Sequence, residues 1–129
     1  MHMFETKPTT SEALTIESVV RDYFEGYLKA ESETLLKAFN KEARLFSVEN
    51  GNLDKTEMFQ WLENLRSRKE KGDIRQADVS IDGVDISGVA AVVKTTLRFA
   101  KFQFTDYLSL LYFDGGWKIV NKIYTTQNL

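Results

Sequence analysis

The sequence predicts an α+β fold, with three helices ahead of a mainly antiparallel sheet. Three observations predict it. Apolar residues recur with a 3.6-residue period in the first half of the chain, and from Ile74 the period drops to two. Two strand-like runs, 105–113 and 117–124, flank Asp114-Gly115-Gly116 near the end. A Gly-containing loop this short between such runs predicts an antiparallel hairpin. Helices followed by strands is the α+β order, as opposed to alternating βαβ units.

Residues 1–8 read as a disordered N-terminal tail and 9–129 as one domain. Thr9-Thr10-Ser11-Glu12 has the form of a helix capping box. In the helix it opens, Ile16, Val19, Val20, Tyr23, Phe24, Tyr27 and Leu28 share one face, and Arg21, Asp22, Glu25 and Lys29 take the other. Ser32 can cap a second, shorter helix carrying Leu35, Leu36 and Phe39, with Glu33 near its positive end. Residues 44–49 read as a strand, ended by Asn50-Gly51-Asn52. Asp54 and Glu57 can open a third helix, whose Met58, Trp61, Leu62 and Leu65 face one way. Arg66, Arg68, Lys69 and Lys71 before Gly72 supply the cations and the glycine that suit a helix C-terminus.

In the strand region Arg75, Ala77, Val79 and Ile81 alternate with Gln76, Asp78, Ser80 and Asp82. Val89, Ala91, Val93, Leu97 and Phe99 oppose Lys94, Thr96 and Arg98. The run at 105–113 is apolar on both faces: Tyr107, Leu111 and Phe113 alternate with Leu108, Leu110 and Tyr112. Antiparallel strands commonly wet one face. Two apolar faces therefore require two covering layers, the early helices on one side and a partner subunit on the other.

Composition narrows the chemistry. Seventeen Lys/Arg against nineteen Asp/Glu give a net charge of −2, which is not the basic surface of a nucleic-acid binder. There is no cysteine, so disulfides and thiolate chemistry are excluded. The one histidine is His2, in the tail, which argues against imidazole acid–base chemistry and a metal site. The first twenty residues contain no continuous apolar segment, and the longest apolar run, 89–93, is far short of a membrane span. A cytoplasmic protein without cofactor or membrane contact is the expectation.

Tyr23-Phe24-Glu25-Gly26-Tyr27, the run Ala38-Phe39-Asn40-Lys41-Glu42-Ala43-Arg44-Leu45, and the closing segments Asp106-Tyr107-Leu108-Ser109-Leu110-Leu111 and Asp114 to Lys122 carry a resemblance. Over residues 12–125 the chain resembles the nuclear transport factor two-like (cystatin-like) fold, closest to its lumazine-binding and SnoaL-like branches. The resemblance implies a strongly curved sheet wrapped around a helix as a cone, an apolar cavity between them, and a homodimer through the outer face of the sheet. It implies a small apolar or aromatic ligand. Activities on this fold range from isomerases, dehydratases and cyclases to non-catalytic modules, so the fold by itself assigns none.

Comparison with ketosteroid isomerase, a distant relative on this fold, matches that enzyme's helix-one tyrosine to Tyr23. The same count puts Ser47 at the position of the base and Ser109 near the acidic donor. A serine cannot take a proton at neutral pH without a base beside it, so that mechanism is not expected and the catalytic residues are unknown. Glu49, at the parity of Ser47, and Asp106 are the remaining acids that could face the cavity. Tyr23, Tyr27, Ser47, Trp61, Ser109 and Leu111, with Phe113, are expected to line the cavity. Leu108, Leu110 and Tyr112 are expected at the dimer interface, and Lys94 and Arg98 towards solvent. The reading this supports is a small-molecule-binding domain; a hydrophobic-ring isomerase, dehydratase or cyclase and a protein-interaction module are the alternatives.

Overall fold

A computed structural model describes residues 10–129; the tail at 1–8, His2 and the Thr9 end of the capping box lie outside the described residues. Three helices, α1 (Thr10–Leu28), α2 (Ser32–Ala38) and α3 (Met58–Glu70), pack against one face of an open six-stranded sheet. The strands are β1 (Phe39–Glu49), β2 (Asn52–Glu57), β3 (Asp78–Ser87), β4 (Ala90–Arg98), β5 (Phe102–Phe113) and β6 (Gly116–Asn128), in the order β2-β1-β6-β5-β4-β3. All neighbours are antiparallel except β1 and β6, so the α+β, mainly antiparallel architecture is as expected. Among the described residues no helix is long and apolar enough to cross a membrane.

The α1 stripe of Ile16, Val20, Tyr23, Phe24 and Tyr27 is buried against the sheet. Gly26 lets α2 approach: a Cβ there would lie 2.6 Å from the backbone nitrogen of Leu35. The closing hairpin turns through Asp114 and Gly115, both at positive φ, with Phe113 paired to Gly116. Such a two-residue loop matches the right-handed twist of its strands.

Three element boundaries differ from expectation. The first is residues 52–57, which form β2 where a helix start was expected. Asn50 and Gly51, at φ 52° and 79°, make a second two-residue hairpin and return the chain alongside β1. The third helix then begins at Met58, capped by Glu57, whose backbone N–H donates to Gln60 Oε1 at 2.9 Å. In the second helix, Glu31 is the cap and Ser32 the first helical residue. Phe39, expected on that helix, begins β1, which runs five residues earlier than the sequence pattern indicated.

The faces of β5 are also reversed. Leu108 and Leu110, expected towards a second subunit, are 0% and 1% exposed in the core beneath the helices. Ser109 and Leu111, expected in a cavity, point to the outer face, where Leu111 is 40% exposed, and Phe113 is likewise exposed. Tyr112 is exposed at the hairpin end, its ring 5.6 Å from that of Trp117. Alternation states only that the two faces differ. When both are apolar, it is pairing with the rest of the fold that selects the inner one.

Candidate functional site

Opposite Ser109–Leu110 of β5, β6 runs Asn121 to Ile119, which leaves Val120 as an extra, bulged residue. A bulge shifts the alternation of its strand by one. Trp117 and Ile119 face inward before it, and after it the inward positions are Lys122 and Tyr124 in place of Asn121 and Ile123. The bulge thus carries a lysine into the interior, 4% exposed, and puts Ile123 outside.

Lys122 meets a prepared environment. Its Nζ donates to the hydroxyl of Tyr23 at 2.8 Å. That hydroxyl donates to Asp106 Oδ2 at 2.5 Å, and Thr95 Oγ1 donates to the same oxygen at 3.2 Å. Asp106 Oδ1 has no hydrogen-bond partner among the described residues and lies 3.9 Å from the ammonium. Asp106, Tyr23 and Thr95 are fully buried. Four rings surround the charge: Tyr23, Trp61 and Tyr124 have centroids 4.8–4.9 Å from Nζ, and Tyr27 has its own at 5.8 Å.

Burying two ions costs several kcal/mol each, offset only where pairing and hydrogen bonds are good. Here the opposite charge, the tyrosine hydroxyl and the ring faces supply that compensation. Burial lowers the pKa of Lys122, against the pull of Asp106. The same burial, with the charge and hydrogen bond of Asp106, holds Tyr23 well above its ordinary value, so its proton stays on oxygen.

The ammonium lies at the inner end of a cavity of about 400 Å³, bounded by the end of α1, α3, β1, β5 and β6. Its walls are Tyr27, Trp61, Phe104 and Tyr124, with Thr56, Asn64 and Ser67 as polar lining. This size is within the range of small-molecule sites, and its lining divides about evenly between aromatic or aliphatic and polar or charged side chains. Arg68 and Arg75 stand at its rim. Arg68 donates to the carbonyls of Tyr27 and Leu28 at 2.8 and 3.3 Å, satisfying the last turn of α1. Arg75 donates to the Tyr27 hydroxyl at 2.8 Å and to both oxygens of Asp73. Burial raises the pKa of Tyr27, while these two cations oppose the shift. Their hydrogen bonds and charge hold Asp73 below its ordinary value, the Arg75 bond first.

Of the expected site residues, Tyr23, Tyr27 and Trp61 come together, with ring centroids 6.2–6.4 Å apart. Tyr27 and Trp61 line the cavity, and Tyr23 lies beneath it. Ser47 is buried on β1, but its hydroxyl donates to Glu49 at 3.4 Å and it is not on this cavity wall. Glu49 is exposed beside the β1–β2 turn. Ser109 and Leu111 border the outer face beside Val92. Lys94 and Arg98 are exposed, Lys94 with its ammonium 5.7 Å from the Tyr107 ring. Reading the residues alone missed Lys122, Arg68 and Arg75. A lysine among Ile119, Ile123 and Tyr124 is an available signal, but unbroken alternation puts it outside.

Over residues 11–125 the chain matches the family model described as "putative lumazine-binding". No curated protein matches it. Among solved structures it is similar to an NTF2-like protein of unknown function from Shewanella baltica OS155, at 28% identity and a TM-score of 0.80, covering 95% of this chain and 98% of that one. An NTF-2 like protein of unknown function from Silicibacter pomeroyi DSS-3 shares 22% identity at a TM-score of 0.79, over 92% and 99% of the two chains. A cystatin-like domain of unknown function from Nostoc punctiforme PCC 73102 is 16% identical, with a TM-score of 0.71, over 91% and 78%.

Proposed function

The chain belongs to the putative lumazine-binding family, and from that premise we propose that it binds a small aromatic molecule in the cavity above Lys122. One observation carries this reading: a buried ammonium, ringed by aromatic faces, at the inner end of an open cavity of ligand size. Replacing a buried ion pair by apolar residues is often neutral or stabilising, and titratable groups with shifted pKa values cluster at functional sites. Tyr27, Trp61, Phe104 and Tyr124 hold the ring and Lys122 orients it. A thermal-shift screen of aromatic heterocycles, lumazine included, tests the reading. A compound that raises the unfolding midpoint of the native chain but not of Trp61→Ala is the expected result; no shift from any of them removes the reading.

The homodimer is proposed on the outer face of the sheet, with the residues that the structure exposes there. Val92, Tyr107, Leu111 and Ile123, on the adjacent strands β4, β5 and β6, are each 40–48% exposed. Apolar residues contiguous across three strands are uncommon on a monomer surface. A second copy suits the patch because a twofold axis sets the same face against itself.

A further inference from the structure

We propose that the cavity selects a planar aromatic ligand carrying one negative charge, with its anionic group on Lys122 Nζ and the Arg68–Arg75 rim and its ring against Tyr27, Trp61 and Tyr124. This rests on the ligand-binding reading above and narrows it to a chemical class. Charge is the first ground. Among the described residues, three that line the cavity are cations, Arg68, Arg75 and Lys122, and none is an acid. The carboxylates that pair with them lie off the lining: Asp73, partly exposed to solvent, beside both arginines and Asp106, buried, beside Lys122. Three cations against two carboxylates leave one positive charge uncompensated at the site, which a single negative charge on the ligand balances.

Hydrogen-bond capacity is the second ground. An ammonium has three N–H groups, and Lys122 spends one on Tyr23. Its nearest carboxylate oxygen, at 3.9 Å, is beyond hydrogen-bond reach. The site therefore holds donors without acceptors, and an anionic oxygen supplies the missing partner. The shape of the walls is the third ground. Trp61, Tyr27, Phe104 and Tyr124 follow one another with centroid steps of 6.2, 6.3 and 5.8 Å, a continuous aromatic lining that a small inorganic anion leaves unused. A neutral ring leaves the donors unpaired, and a cationic one is repelled.

Two fluorescent probes with the same rings separate these cases: 8-anilinonaphthalene-1-sulfonate, an anion, and N-phenyl-1-naphthylamine, its neutral counterpart. Titrated into the full chain, the sulfonate is expected to bind at least about tenfold more tightly, the effect of one charge-assisted hydrogen bond in a desolvated site. Arg75→Gln, which removes a half-exposed charge, should reduce that preference. The double variant Lys122→Met/Asp106→Asn, which withdraws the buried pair together and with it the donor at the inner end of the cavity, should reduce it as well. Ile123→Glu, on the outer face, should alter neither probe. Equal affinities in the native chain overturn the anion proposal and leave the ligand-binding reading standing, whereas failure of both probes to bind overturns both. A preference that neither cavity variant reduces, or that Ile123→Glu removes, belongs to another surface and equally overturns the proposal.

Discussion

Tyr23 on the first helix donates its hydroxyl proton to Asp106 Oδ2 on the fifth strand at 2.5 Å, and accepts from Lys122 on the sixth. This one oxygen joins the helical layer to two neighbouring strands of the sheet. It also decides how the buried charges are satisfied, and the consequences can be measured.

Tyr23→Phe keeps the ring and removes the hydroxyl. Asp106 Oδ2 then retains only Thr95, and Lys122 loses its only hydrogen-bond acceptor among the described residues. Leaving buried polar groups unmade costs roughly 1–3 kcal/mol, more where they are charged. Urea denaturation should show a loss at or above that range with an unchanged slope.

The raised pKa of Tyr23 gives a signed pH dependence. Its folded value lies above the ordinary 10.0, so its contribution is fully present below pH 10. Above that pH the unfolded chain releases the proton while the folded chain keeps it, so stability falls as pH rises. Lys122, whose pKa is lowered, acts in the opposite sense up to its ordinary 10.5. Comparison with Tyr23→Phe isolates the tyrosine. The native chain should lose its stability advantage over the variant above pH 10, and by ultraviolet absorbance it should keep one more tyrosine un-ionised than the variant does until unfolding. A parallel pH dependence in the two proteins would contradict this.

The buried pair should be expensive to break and cheap to remove. Asp106→Ala strands the Lys122 charge, a change that typically costs about 3–5 kcal/mol. Asp106→Leu/Lys122→Met withdraws both ions and should recover most of that loss. A double-mutant cycle by chemical denaturation reads the difference directly.

The two faces of β5 should respond in opposite ways. Leu110→Ala opens a cavity in the core and should cost roughly 2–5 kcal/mol without changing the mass in solution. Ile123→Glu should leave the fold near native stability and, if the outer face is the homodimer interface, shift the mass by light scattering from dimer towards monomer. An oligomeric state sensitive to Leu110→Ala and indifferent to Ile123→Glu would remove that interface.

Gly26→Ala tests the close approach of α1 and α2. The added Cβ would meet the backbone of Leu35 at 2.6 and 2.8 Å, atoms that cannot step aside as a side-chain tip can. Overpacking of this kind typically costs about 1–3 kcal/mol or more. Gly83→Ala, where nothing lies within 4 Å, is the control for a simple loss of glycine.

What the sequence determined was whatever repeats locally. The α1 stripe from Ile16 to Tyr27, the change of period after Ile74 and the Asp114-Gly115 turn each specify their element through neighbours a few residues away. They were enough for the helical layer, the hairpin and the fold class, and they brought Tyr23, Tyr27 and Trp61 together. Which side of the sheet is inside was decided only by the tertiary structure. β5 is apolar on both faces, so its parity was settled by its register between β4 and β6 and by the helices that cover one face, which together put Asp106, Leu108 and Leu110 inside. On β6 the bulge at Val120 reversed the alternation, bringing Lys122 in and sending Ile123 out. A period of two carries no record of one extra residue, because the bulge exists only in the register between two paired strands.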